Sequence, residues 1–385
     1  MVAASALLPR ALHPVAWWVW AICLAAAASQ TSNPLLLALI FGVLGLVVTA
    51  RRTDAPWARA FKYYLIMALI VIAIRVVFRS VFGTGITAQD TILFRLPRLD
   101  MPDWYAGIQI GGPVSLQATL AATIDGMRLA CLLCCIGAAN SLANPKRALK
   151  VLPGALYELG VAVTVALSVA PQLVESVQRV ARARRLRAGK SRGLRALRAI
   201  ALPVLHDALD RSLRLAAAMD SRGYGRTGTA SARSRRLTGT LMLAGMAGLC
   251  VGVYGLLDPG TPRAMGLAGF AAGTALSVAG LYVGGRRVSR SRYRPDPWRW
   301  PEWTVAGCGL LTAFVFYLGT GYDPATLNPG LYPLQWPTLP LIPAAAILVS
   351  ATAAFASPPP PAPPRSTPPA QRRSPPAATV QGASK

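Results

Sequence analysis

The sequence predicts an all-α polytopic membrane protein with about eight transmembrane helices, plus amphipathic helices that lie in the membrane or at its cytoplasmic face. The chain is 54% hydrophobic and only 14% charged, whereas soluble domains contain about 25% charged residues. Several of its apolar stretches are long enough to cross a bilayer. Most basic residues lie between these stretches, as the preference of Lys and Arg for cytoplasmic loops requires.

An N-terminal membrane part, residues 1–154, is predicted to contain four spans. These spans cover about 15–30, 34–50, 63–82 and 117–139. The segment 83–115 is rich in Gly and Pro and carries three aspartates, so we expect an outer loop. The first apolar run also resembles a signal peptide, because Ala26 and Ala28 imitate a cleavage site. We favour its retention, since a second span follows almost at once.

The next part, residues 155–236, is predicted to be a basic cytoplasmic platform. Its section 178–236 contains 16 of the 40 Lys and Arg residues and only three acidic residues. The stretch 155–174 is apolar enough to span, but a span there would place these positive charges outside. We therefore predict an embedded or tilted helix over 155–177, bent near Pro171, and a separate short amphipathic helix over 177–186.

A second amphipathic helix is predicted between Leu194 and Met219. Apolar residues recur there with the three-four spacing of one helix face: Leu194, Leu197, Ala201, Leu205, Ala208, Leu209, Leu213, Ala216 and Met219. On the other face, Asp207 with Arg211 and Asp210 with Arg214 stand four apart, a spacing that favours ion pairs. Pro203 is expected to bend this helix or to divide it.

A C-terminal membrane part, residues 237–356, is predicted to contain four more spans. They cover about 237–257, 264–284, 303–321 and 337–355. The last part, 357–385, is a Pro-rich tail that is expected to be disordered. With eight spans, both termini are predicted to lie in the cytoplasm, and the protein is expected in the cell membrane as a multi-pass protein.

The two amphipathic helices of the platform are predicted to end in a similar way. Arg187 precedes Gly189, and Arg222 precedes Gly223. Glycine is favoured at the left-handed position that ends a helix, and arginine is favoured near the negative end of the helix dipole. A guanidinium held there presents a planar fork to carboxylates or carbonyls, which Lys cannot copy. From this pattern alone, ordinary caps with solvated arginines remain an alternative.

Five stretches resemble the transmembrane T component of energy-coupling factor (ECF) transporters, the EcfT/CbiQ family. They are AAAMDSRGYG at 216–225, LHPVAW at 12–17 with SNPLL at 32–36, NPKRALKVL at 144–152, and ALSVAPQLVESVQRVARARRLR at 166–187. The resemblance covers roughly residues 11–230. The family's Ala-Arg-Gly signature is altered twice. The first copy reads Leu186, Arg187, Ala188, so its glycine is either replaced or displaced to Gly189. The second copy has Ser221 in place of alanine, followed by Arg222 and Gly223.

The resemblance implies a coupling subunit that performs no chemistry itself. The two arginine-bearing helix ends, with Arg187, Ala188, Gly189, Ser221, Arg222 and Gly223 as the ATPase-coupling residues, would dock into two cytoplasmic ABC-type ATPase subunits. The platform would transmit ATP-driven motion to a small substrate-binding membrane protein, for uptake of a vitamin or a transition-metal ion. That separate protein would choose the substrate. The resemblance assigns no role to the four spans after the platform.

Two other classes of function stay open at this point. A membrane-bound enzyme could grip lipid or isoprenoid phosphates with the basic platform, although no aspartate-rich metal motif is present in the sequence. A polybasic membrane anchor for a cytoplasmic partner would depend on charge alone. Nucleic-acid binding is disfavoured because the basic residues follow the membrane topology.

The sequence favours no cofactor and no metal site. Gly189, Lys190 and Ser191 imitate the end of a phosphate-binding loop, but Arg184 occupies the position of its first glycine. The cysteines all lie in apolar stretches, where packing is the expected role. Two arginines are predicted within spans: Arg128, which could pair with Asp125, and Arg75, which stays unassigned.

Overall fold

The computed structural model describes most of the chain as helix. The described residues are 10–53, 60–82, 90–99, 110–186, 194–224, 232–258, 260–286, 296–319, 323–331, 334 and 336–359. In chain order the helices are α1 Pro14–Ser29, α2 Pro34–Arg51, α3 Phe61–Val81, α4 Leu116–Leu142, α5 Pro145–Ala148, α6 Tyr157–Leu186, α7 Leu194–Ser221, α8 Ala232–Leu257, α9 Arg263–Gly285, α10 Trp300–Leu318, α11 Leu341–Ser350 and α12 Ala353–Ala356. Short 3₁₀ turns cover Leu149–Val151, Gly154–Leu156 and Pro324–Leu327.

Seven helical stretches in the described part of the chain are long and apolar enough to cross a membrane. Six of them match predicted spans, which confirms the polytopic all-α class. The first and last predicted spans are shorter apolar helices, Pro14–Ser29 and Leu341–Ala356, the second of which is interrupted between α11 and α12. The seventh candidate, Gly154–Arg184, includes the apolar segment that the charge pattern predicts to be embedded or tilted.

The prediction that residues 83–115 form only a loop is wrong in part. Strands β1 (Ile92–Leu99) and β2 (Ile110–Ser115) pair antiparallel, with Arg95 opposite Pro113 and Leu96 opposite Gly112. Proline lacks an amide donor, but both strands of a two-stranded sheet are edge strands with one unpaired side, so proline is tolerated there. The Gly and Pro content therefore hides the strands from sequence inspection.

The structure divides into two compact units. One unit contains residues 1–143 and 298–385, and the other contains residues 144–297. The functional parts predicted with boundaries at residues 154, 236 and 356 stay predictions.

In the first unit, α1 packs against α10 and α4, and α2 packs against α4 and α11. Trp20 and Leu24 are fully buried, and the Trp20 indole donates to the Ser350 carbonyl at 3.2 Å. Gly309 permits this close packing, because a Cβ there would lie 2.8 Å from the Trp20 Cα. The first apolar helix is thus part of the core, while its retention in the mature protein stays a prediction.

Two Asn-Pro sequences of the chain begin helices. Asn33 caps α2 by accepting from the Leu35 amide at 3.0 Å, with Pro34 at the first helical position. Asn144 caps α5 in the same way by accepting from the Lys146 amide at 3.0 Å. A side-chain oxygen at this position satisfies an amide that the helix leaves unpaired, and proline there loses no helical hydrogen bond.

The second unit contains a closely packed pair of helices, α8 and α9. Glycines at spacings of three and four line the facing surfaces: Gly245, Gly248, Gly252 and Gly255 on α8, and Gly266, Gly269 and Gly273 on α9. A Cβ on Gly248 would lie 2.9 Å from the Gly273 Cα, and one on Gly269 would lie 3.2 Å from the Gly252 Cα. The two backbones touch because these residues have no side chains, as in helix pairs of membrane proteins generally.

Candidate docking site on two amphipathic helices

The predicted platform contains α6 and α7, both in the second unit; of the predicted site residues, Ser221 ends α7, and Arg222 and Gly223 follow it directly. The prediction of a separate helix over 177–186 is wrong, because α6 is one helix of 30 residues that contains Pro171. Likewise, Pro203 lies inside α7, a single helix of 28 residues. A proline removes one amide donor, and the many other hydrogen bonds of a long helix outweigh that loss. At about 1.5 Å per residue, α6 extends about 45 Å.

A polar cluster joins α6 to α7. The Ser176 hydroxyl, which is buried, donates to the Asp207 carboxylate at 2.8 Å. Arg211 forms the predicted ion pair with Asp207 at 3.2 Å and donates to the Gln172 side chain of α6 at 2.9 Å. The hydrogen bond from Ser176, followed by the charges of Arg211 and Arg179, lowers the pKa of Asp207 below its usual value. Asp207 therefore stays ionised near neutral pH and fixes the register of the two helices. The other predicted pair, Asp210 with Arg214, is not among the ion pairs that join described residues.

The C-terminal end of α7 has the predicted glycine cap. Gly223 adopts the left-handed conformation, with φ of 73°. Its amide donates to the Asp220 carbonyl at 2.9 Å, and the Tyr224 amide donates to the Met219 carbonyl at 3.0 Å. These two bonds define a Schellman motif, which satisfies carbonyls that the helix end leaves unpaired. Arg222 consequently occupies the last position before the chain reverses.

The side chain of Arg222 is exposed at this end of α7. It takes part in none of the ion pairs between described residues. Ser221, just before it, is the last residue of the helix and donates its hydroxyl to the Ala218 carbonyl at 3.0 Å. The cap fixes the backbone on both sides of Arg222 while its side chain stays exposed, which is the arrangement that a docking residue needs.

The first signature begins at the described end of α6. Helix α6 ends at Leu186, and Arg187, Ala188 and Gly189 lie outside the described residues. Their predicted role at a second helix end therefore stays a prediction.

A cavity of about 320 Å³ adjoins Arg222, and the sequence did not reveal it. Its lining combines the end of α7 with the N-terminal half of α6 and with residues 149–152 of the preceding segment. Lys150 and Arg222 are its charged residues, and no acidic residue is among the described residues that line it. Because these residues are distant in sequence, only their tertiary arrangement brings the two cations to one cavity.

The segment that leads to α6 is held by the α8–α9 helix pair. Gly154 lies so close to Gly285 of α9 that a Cβ on Gly154 would be 2.7 Å from the Gly285 carbonyl oxygen. Arg147 in addition pairs with Asp296 at 2.8 Å. Helix α9, to which the sequence analysis assigned no role, thus contacts the segment at the start of the platform.

The other residues singled out in the sequence are the charged residues within spans and the cysteines. Asp125 is exposed and Arg128 is half-buried on α4, and no ion pair joins them, so the prediction of that pairing is wrong. Arg75 is exposed on α3. The cysteines are all free, and all but Cys250 are buried, as expected for packing. Among the described residues, no three His, Cys, Asp or Glu side chains are grouped so as to hold a metal ion.

The fold and the basic helical platform define a polytopic α-helical membrane protein. Residues 7–231 match the family model CbiQ, described as cobalt transport protein. Because this match covers more than half of the 385 residues, the chain belongs to the CbiQ family, which is the EcfT/CbiQ family of the resemblance. The protein is therefore a membrane-embedded component of a transport system. The comparison with curated proteins finds no match. The family match ends just before α8, so α8 to α12 lie beyond it.

Proposed function

We propose that the protein is the membrane coupling subunit, or T component, of an ECF-type ABC importer. It transmits ATP-driven motion of two cytoplasmic ABC-type ATPase subunits to a small substrate-binding membrane protein. The cargo class is a transition-metal ion or a vitamin, and the cobalt in the family description makes a metal ion the first to test. ATP hydrolysis takes place in the partner subunits, and both termini of this chain lie in the cytoplasm.

The observation that carries this proposal is the capped, exposed arginine at the end of α7. The Schellman motif at Gly223 fixes the backbone beside Arg222. A guanidinium presents its donors in a rigid planar fork, which fits paired carboxylate or carbonyl acceptors in a groove. An acidic or carbonyl-lined socket on an ATPase subunit is the complementary partner.

The link between the two helices supports a mechanical role. A force applied at Arg222 acts on α7, and the cluster of Gln172, Ser176, Asp207 and Arg211 connects α7 to α6. Since α6 is one long helix, motion at its cytoplasmic end reaches the apolar half that adjoins the membrane. A substrate-binding protein that contacts this half would be displaced.

The test is co-purification of the detergent-solubilised protein with candidate ATPase subunits from the same cell. Wild type is compared with Arg187→Ala, Arg222→Ala and the double variant. The control is Arg214→Ala, which removes an equally exposed arginine from the same helix. We expect the double variant alone to lose the ATPase completely, each single variant to retain a reduced amount, and the control to resemble wild type.

The same preparation separates the alternatives. A polybasic anchor depends on charge, so Arg222→Lys would then bind its partner as well as wild type does. Docking through the guanidinium predicts a loss in Arg222→Lys although the charge is kept. Wild-type protein that retains no ATPase would contradict the proposal and leave the lipid-phosphate enzyme to be tested by activity.

A further inference from the structure

The cavity beside Arg222 combines a cationic rim with an apolar wall. Lys150 and Arg222 line it from two different segments, while Val161 and Val165 of α6 and Leu215 of α7 supply apolar surface. Arg222 and Lys150 are both exposed residues, so the cavity reaches the protein surface. A ligand that fits must carry negative charge at one end and be apolar at the other.

The environment of the cavity selects the kind of ligand. Val161 and Val165 belong to the stretch Gly154–Arg184, which is apolar enough to span a membrane. Whether this stretch spans or lies tilted in the inner leaflet, its apolar half borders lipid chains, and Lys150 and Arg222 line the cavity beside the N-terminal end of that apolar half. Tyr157 and Tyr224 also line the cavity, and tyrosine is enriched at membrane–water interfaces.

We propose that this cavity binds an anionic phospholipid, with its headgroup phosphate between Lys150 and Arg222 and the upper part of one acyl chain along Val161 and Val165. Basic pockets between helices on the cytoplasmic side are a recognised form of anionic-lipid site. At about 320 Å³, the cavity is at the lower end of the size range of ligand pockets. It therefore takes the headgroup region, and the remaining chain lies in the bilayer.

This site has a consequence for the end of α7. A phosphate bound to Arg222 competes with any acceptor on a protein partner for the same guanidinium donors. The bound lipid therefore reduces the binding of such a partner to the end of α7. The binding itself does not depend on the proposed coupling function, and it is measured without any ATPase.

The experiment is native mass spectrometry of the full-length protein after delipidation in detergent. Phosphatidylglycerol and phosphatidylcholine with identical chains are added in turn, and glycerol phosphate serves as a soluble headgroup without chains. Wild type and each variant differ in mass, so both are measured in one mixture at the same lipid concentration. The variants are the double change Lys150→Ala with Arg222→Ala, the charge-preserving Val161→Phe, which fills the apolar wall, and the control Arg214→Ala.

We expect wild type to bind phosphatidylglycerol in preference to phosphatidylcholine and to bind glycerol phosphate far more weakly. Each cation removed weakens binding about fivefold, so the double variant loses about 25-fold. Val161→Phe loses binding although both cations remain, and the control binds as wild type does. Equal binding of the two lipids, or undiminished binding by the double variant or by Val161→Phe, would overturn the proposal. Glycerol phosphate that binds as tightly as the lipid would also overturn it, because the site would then recognise a free phosphate. The wild-type comparison of the lipids stands even where a variant fails to fold.

Discussion

Two glycines of helix α8 are expected to respond in opposite ways to the same substitution. Gly248 faces α9, and a Cβ there would lie 2.9 Å from the Gly273 Cα and 3.3 Å from the Gly273 amide nitrogen. These neighbours are backbone atoms, so the helices must move apart to admit a methyl group. Gly239 is on the same helix, and a Cβ there would meet nothing within 4 Å. The pair is therefore a matched test of backbone contact.

The magnitudes follow from this geometry. Forcing an extra methyl group into a packed contact costs about 1–3 kcal/mol, so Gly248→Ala should destabilise the protein. In open space alanine is the better helix former by about 0.5–1 kcal/mol, so Gly239→Ala should stabilise it slightly. The measurement is the midpoint of thermal unfolding in detergent, for wild type and both variants side by side. A Gly248→Ala variant as stable as Gly239→Ala would refute the backbone contact between α8 and α9.

Two further stability predictions concern charged residues. Arg10→Ala should destabilise the protein by about 3–5 kcal/mol, since it leaves fully buried Glu302 without the guanidinium that holds both of its oxygens at 2.7 and 2.9 Å. Arg147→Ala, which breaks the more exposed pair with Asp296, should cost at most about 1 kcal/mol, and equal losses in the two unfolding curves would contradict this contrast. Asp207→Asn should lower the unfolding midpoint at neutral pH, because the ionised carboxylate stabilises the fold. Since folding lowers the pKa of Asp207, this stabilisation is complete above the pKa of an unfolded aspartate, about 3.9. It is lost as the pH falls through the lower pKa of Asp207 in the folded protein. The difference between wild type and variant should then vanish in strong acid, and a difference that persists there would contradict the role given to the ionised form.

Most of the membrane architecture could be predicted from the sequence. Length and hydropathy locate six of the seven candidate spans because an isolated helix must be apolar over about 20 residues to cross a bilayer. Length and hydropathy do not predict which helices pack together, as the pair α8–α9 shows. Its spans were predicted, but the pairing of Gly248 with Gly273 was not, since the spacing of small residues does not name the partner helix.

The docking site was predicted in part. The cap at Gly223 follows from local backbone chemistry, so residues adjacent in the sequence were enough to predict it. The prolines led to a wrong division of α6, because the cost of Pro171 is local whereas the stability of a 30-residue helix is distributed along its length. The cavity brings Lys150 to Arg222 across 72 positions of sequence, and no local pattern records such a contact.

Photo-crosslinking from the end of α7 in intact membranes tests the central claim most directly. Benzoylphenylalanine is placed at position 221, next to Arg222, and for comparison at position 202, which is exposed in the N-terminal third of the same helix, about 28 Å away. The account predicts an ATP-sensitive crosslink from position 221 to an ABC-type ATPase subunit, lost when Arg222→Lys is added, and no such crosslink from position 202. A crosslink from position 221 only to lipid, or one to the ATPase that persists unchanged with Arg222→Lys, would contradict docking through the Arg222 guanidinium.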